Sequence, residues 1–222
     1  MRGLILGTIL TALAVPAVGA SEPMVRAEYT NPGLVPAHWT LEIHPDGSAH
    51  FRTQRGSAAR VEGEGIEAPD IDRDIRLSNK FADRIFGIAH RKRLFRVECE
   101  SHMKVAFQGT KMLAYSGPEG EGACEFNYSK DPEIQALGDD LLSVANTMIE
   151  GARLQSLLLH DRLGLDRETE LLTQSAADGR AQQIGSIRDI LERLADDESV
   201  LERVRRRARA LLDRAQTDRA QN

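Results

Sequence analysis

His44 and His50 flank the turn residues Pro45-Asp46-Gly47, and Glu42 stands two residues before the first histidine. Two imidazoles and a carboxylate are a donor set for a divalent transition metal, because neutral ring nitrogens and a carboxylate oxygen suit zinc or iron. A working site needs further converging ligands and outer hydrogen bonds that orient the rings, and no spacing in the chain supplies them. The expected role of Glu42, His44 and His50 is therefore a polar sheet face, with metal binding as the alternative. His160-Asp161 closes a long amphipathic stretch. Neighbours on a helix point about 100° apart, so these two are not a positioned acid and base. A histidine there interacts favourably with the C-terminal end of the helix dipole.

Other chemistry-bearing motifs are missing or fail on inspection. No Gly-x-Ser-x-Gly, Walker loop, dinucleotide fingerprint or His-Glu-x-x-His occurs. Glu62-Gly63-Glu64-Gly65 and Gly120-Glu121-Gly122 are glycine-rich, yet their carboxylates repel phosphate and lack the oxygen pattern of a calcium loop. Both read as flexible connections. Arg203, Arg205, Arg206, Arg207 and Arg209 crowd the last helical stretch. A net charge of −5 and the lack of interleaved aromatics argue against nucleic acid. These arginines are expected on a solvated face, with Glu202 pairing Arg206 at i, i+4. Arg203, Arg206 and Arg207 are the alternative surface for an anionic partner. No catalytic residue and no cofactor is assigned.

The segments that would hold these residues begin with an address. Arg2 is a positive start, Leu4 to Val15 is apolar, and Val18-Gly19-Ala20 is the small-residue pattern of a signal-peptidase site. The apolar stretch falls short of the about 20 residues of a membrane span, and no later segment reaches that length. Residues 1–20 are therefore expected to be a cleaved signal peptide on an exported, soluble protein without a transmembrane anchor. Composition agrees: 41% hydrophobic and 28% charged over 222 residues excludes disordered, collagen-like and multi-span classes. Two cysteines are too few for an iron–sulfur or multi-zinc protein. In an oxidising compartment Cys99 and Cys124 should pair, and closing a loop of that length is worth about 3 kcal/mol in the chain-entropy view.

Two periods divide the mature chain. Trp39, Leu41 and Ile43 alternate with polar residues, as do Ala49 and Phe51 beyond the turn. A three-residue loop with Gly47 left-handed sets Ile43 opposite Ala49, Leu41 opposite Phe51 and Glu42 opposite His50, so apolar pairs share one face. Thr53 to Asp74 reads as a long connection. Ser78 caps a helix carrying Phe81, Ile85, Ile88 and Ala89. Strands are then expected over 94–100, 103–108, 111–116 and 124–128, with 117–122 as a loop. From Asp131-Pro132-Glu133 the period becomes 3.6, with Ile134, Leu137, Leu141, Val144 and Met148 on one stripe. A left-handed cap is expected at Gly164, and Asp166 is expected to cap the next helix. Ile184, Ile187, Leu191 and Leu194 mark a further helix, and Val200, Val204, Ala208 and Leu211 the last.

The expected fold is α+β: an antiparallel β-sheet with one inserted helix, then a C-terminal helical region of about four helices. Its divisions are a linker over 21–38, a sheet domain over 39–128, a helical region over 131–215 and a flexible tail over 216–222. The functional expectation is a non-enzymatic binding or envelope-associated interaction module that meets a protein partner or a second copy through its helical region. The alternative is an exported metal-dependent or hydrolytic enzyme using the His44/His50 face and His160. Processing after Ala20 should leave a protein starting at Ser21. Intact-mass measurement of the exported chain checks this, and Met1–Ala20 retained in membrane fractions would reject it.

Overall fold

The computed structural model describes residues 22–57 and 69–220. The expected signal segment and the Glu62–Gly65 connection lie outside them. Six strands, β1 (Met24–Thr30), β2 (His38–Ile43), β3 (Ser48–Gln54), β4 (Asp72–Arg76), β5 (Thr110–Gly117) and β6 (Gly120–Phe126), form one sheet in the order β4-β3-β2-β1-β5-β6. Every neighbouring pair is antiparallel. The α+β expectation of an antiparallel sheet with one inserted helix and a helical C-terminal region matches this architecture.

The β2–β3 hairpin has the expected register, with Ile43 opposite Ala49, Leu41 opposite Phe51 and Glu42 opposite His50. Its loop closes through His44 N–H donating to Ser48 C=O at 2.9 Å. Gly47 is left-handed at φ 82°, and a Cβ there would lie 2.7 Å from the Leu77 carbonyl oxygen, so glycine is required twice over. Strand β1 departs from expectation. Residues 21–38 read as a linker, yet Met24–Thr30 lies inside the sheet between β2 and β5, with Val25, Ala27 and Tyr29 buried. It pairs with nearby β2 on one side and becomes an interior strand only when β5 arrives on the other from far along the chain. Strand β4 likewise occupies the end of the expected 53–74 connection. As an edge strand with charges at four of five positions it has little apolar period to read.

Helix α1 (Asn79–Arg91) starts as expected, Ser78 Oγ accepting from Phe81 N–H at 3.3 Å. The strands expected over 94–100 and 103–108 do not form. Arg93, Leu94 and Phe95 have φ of 56°, 60° and 62°, a left-handed turn that no strand accommodates. Leu94 and Phe95 are both buried, and adjacent strand residues would point to opposite faces. Cys99 and Cys124 nevertheless form the expected disulfide, with Cα atoms 5.7 Å apart, between this irregular segment and β6. The expected loop over 117–122 is shorter, because β6 already begins at Gly120.

The helical half comprises α2 (Pro132–His160), α3 (Leu165–Ala177), α4 (Arg188–Asp196) and α5 (Glu202–Ala220), with 3-10 turns over Arg162–Gly164 and Ile184–Ile187. Asp131 caps α2 by accepting from Glu133 and Ile134 N–H groups at 3.0 and 3.3 Å. Gly164 is not left-handed, its φ being −71°, and Asp161 caps the intervening turn. Asp166 lies inside α3 and not at its cap. Helix α5 continues through residues 216–220 of the expected tail.

Both helical stripes turn inward. Ile134, Leu137, Leu141, Val144 and Met148 are at most 1% exposed, and Ile184, Ile187, Leu191 and Leu194 at most 2%. They join the sheet's apolar face, from Val25 and Trp39 to Phe126, in one continuous core. Polar ties cross the same boundary: Ser78 N–H donates to Gln183 at 2.8 Å, and Arg73 pairs with Asp189. Leu141→Ala should therefore cost about 2–5 kcal/mol of monomer stability, read from urea unfolding. A near-neutral result would place this stripe outside the core.

Candidate functional site

On the polar sheet face, Glu42 and His50 do share one side, each among charged neighbours. His50 sits between two β4 carboxylates, Nδ1 at 2.8 Å from Asp74 and Nε2 at 3.1 Å from Asp72. Arg52 also holds Asp72 at 2.9 Å, while Glu42 lies 3.7 Å from Arg26. His44 keeps a buried Nδ1 without a hydrogen-bond partner. Among the described residues no three His, Cys, Asp or Glu side chains are grouped to hold a metal ion. The face is a lattice of ion pairs running from β1 to β4. His160 stands exposed in the last turn of α2, where the sequence put it.

The α5 arginines divide between internal pairing and exposure. Arg203 and Arg207 both reach Asp166 on α3, at 2.6 and 2.7 Å, and hold its carboxyl below the usual range. Glu202 pairs with Arg205 at 2.5 Å and lies 3.5 Å from Arg209, in place of the expected Arg206. Arg206 is left exposed. Two of the three arginines expected to greet a partner thus tie α5 to α3.

Sequence reasoning missed two other features. The first is the segment His102–Gln108, exposed at every position, with Met103, Val105 and Phe107 at 52%, 40% and 61%. It is anchored at both ends: Ser101 N–H donates to Tyr128 C=O at 2.9 Å, and Gln108 N–H donates to Asn127 Oδ1 at 2.8 Å. Asn127 Nδ2 in turn donates to Ala106 C=O at 3.1 Å. Val105 N–H folds back onto Met103 C=O at 2.9 Å. The period of two in Met103, Val105 and Phe107 was legible, but a period cannot announce that the core will leave it outside.

The second is a cleft of about 220 Å³ between the β1–β2 loop and α2. Leu34, Val35 and Pro36 line one side, Leu142 and Ile149 the other. Behind them Tyr29 and Trp39 stack with centroids 5.8 Å apart. Glu150 and Arg153 form the polar end, and Arg153 lies 3.8 Å from Glu168 on α3. Burial pushes the carboxyls of Glu150 and Glu168 above their usual range. Glu150 Oε1 accepts from Ser175 Oγ at 3.2 Å, while Glu150 Oε2 and Glu168 Oε1 are buried without hydrogen-bond partners. One signal could have found this place: from Leu141 to His160, Glu150 is the only acidic residue. Buried, perturbed carboxylates beside an apolar cavity are a recurrent mark of binding sites.

No protein-family model matches the chain, and no curated protein matches it.

Because the folded pKa of Glu150 is raised, the folded chain binds its proton more tightly than the unfolded chain does. Its stabilising effect is present in acid and is lost as pH rises from the ordinary carboxylate range through the raised value. Glu150→Gln should then be more stable than the parent at about pH 8, with the difference shrinking toward about pH 4. Urea midpoints at both pH values test this. A Gln variant less stable at the higher pH would contradict it.

Proposed function

We propose that this protein is exported and acts as a non-enzymatic interaction module, with a partner chain docking on His102–Gln108. The observation carrying this proposal is the exposure of Met103, Val105 and Phe107 on an anchored segment. Apolar side chains held outward by a disulfide-tethered framework cost solvation, and a partner surface recovers it. Much of the segment's backbone is already hydrogen-bonded, so a partner would meet it through the three apolar side chains, packing its own apolar surface against them. The signal-like N-terminus and the Cys99–Cys124 bridge support an oxidising compartment. The helical stripes, the other candidate partner surface, are spent on the core.

A photoreactive phenylalanine analogue at position 107, installed in the exporting cell, tests the assignment. One discrete adduct is expected, and it should disappear when Val105→Ser is added. The melting temperature should stay close to that of the parent, since exposed substitutions usually shift stability by no more than about 0.5 kcal/mol. Adducts that form equally well from a probe at Arg206 would move the partner to α5.

A further inference from the structure

We propose that the chain pairs with a second copy of itself about a two-fold axis, each copy placing Phe107 in the Trp39 cleft of the other. This rests on the docking segment proposed above and names its partner. The lining of the cleft sets the occupant. Its charged residues are one carboxylate, Glu150, and one guanidinium, Arg153, and its walls are mainly apolar, from Leu34 and Pro36 to Leu142 and Ile149. Such walls suit an uncharged, apolar group. At about 220 Å³ the cleft has room for an aromatic ring, since a cavity of about 150 Å³ already admits benzene. The stacked Tyr29 and Trp39 rings behind it offer aromatic contact. Among the described residues Phe107 is the most exposed of the large aromatic side chains.

Position favours a second copy over an unrelated chain. Tyr29, which lines the cleft, donates from its hydroxyl to Gln108 C=O at 2.6 Å, and Asn31 Nδ2 donates to the same hydroxyl at 3.3 Å. Leu34 N–H in turn donates to Asn31 C=O at 3.0 Å. This series of bonds fixes the projecting segment beside the cleft wall, so knob and hole are neighbours on one surface. Phe107 does not line the cleft of its own chain. A knob beside a hole that fits it is self-complementary: a two-fold rotation between them fills both clefts at once and closes the assembly. Leu34, Met103, Val105 and Phe107 are all exposed, which leaves on the order of 400 Å² of apolar surface per copy in water. That area matches the need, because a stable dimer buries about 800 Å² per partner, a little over half of it apolar.

Sedimentation equilibrium of the purified exported chain should show monomer and dimer. Phe107→Ser and Leu34→Glu should each weaken dimerisation by at least about a hundredfold, because each substitution removes two symmetry-related contacts. An equimolar mixture of the two variants should associate about tenfold more tightly than either alone, since Phe107 of the Leu34→Glu chain still meets an open cleft on the Phe107→Ser chain. A photoreactive phenylalanine analogue at position 107, in a mixture of ordinary and heavy-nitrogen chains, should give mixed-isotope adducts at the β1–β2 loop or α2. A chain that stays monomeric, species that grow beyond the dimer with concentration, variants that dimerise like the parent, a mixture no tighter than its components, or adducts confined to one chain would overturn the proposal. A monomeric chain that still forms a discrete adduct of another mass in the exporting cell would overturn the dimer and leave the docking segment standing, whereas loss of that adduct as well would overturn both.

Discussion

Burial of the apolar stripe on α2 is the interaction on which the rest of the structure depends. A helix of this length spans about 44 Å, and alone in water it would be marginal. Its first turns pass so close to the sheet that a Cβ at Gly138 would fall 2.9 Å from both Lys111 Cδ and the Phe126 ring. Farther along, a Cβ at Gly151 would fall 2.6 Å from Ile187. The two glycines let α2 lie against the sheet at one end and the α3–α5 assembly at the other. Sheet and helices thereby share one core, which is why the partition into a sheet domain and a helical region describes the order of elements better than it describes their cohesion.

Close approach also explains the polar groups found inside. Lys111 faces the apolar side of β5, donates from Nζ to Asn127 C=O at 3.1 Å and sits 5.5 Å above the Phe126 ring, and burial lowers its pKa. Its ammonium is tolerated because carbonyl and ring face replace water. Glu150 has no comparable set of partners. Where α2 passes the β1–β2 loop, a carboxylate is held in a partly apolar cleft at a cost to stability, and such local costs are characteristic of sites that bind.

The segment after α1 shows a different compromise. Its left-handed turn at Arg93–Phe95 delivers Leu94 and Phe95 into the core, and the disulfide fixes Cys99 to β6. With both anchors spent, His102–Gln108 runs outside the core, so its apolar side chains face water. The opposite end of the sheet is guarded in the usual manner: edge strand β4 is charged, and its aspartates are bound to His50 and Arg52.

What the sequence by itself determined were features whose physics is local. The β2–β3 register follows from a turn type and a period of two, the starts of α1 and α2 from Ser78, Asp131 and Pro132, and the inward stripes from a period of 3.6. The Cys99–Cys124 pairing was legible too, from the number of cysteines and the expected compartment. Tertiary structure alone decided the rest. Strand β1 becomes interior because β5 pairs with it across the chain, and the segments at 94–100 and 103–108 lose their strands because burying Leu94 and Phe95 together demands a turn. Arg203 and Arg207 bend to Asp166 because α5 lies on α3. The cleft joins Trp39 and Glu150 from two distant segments, and no local pattern can encode it: burial is a property of neighbours that meet only after folding.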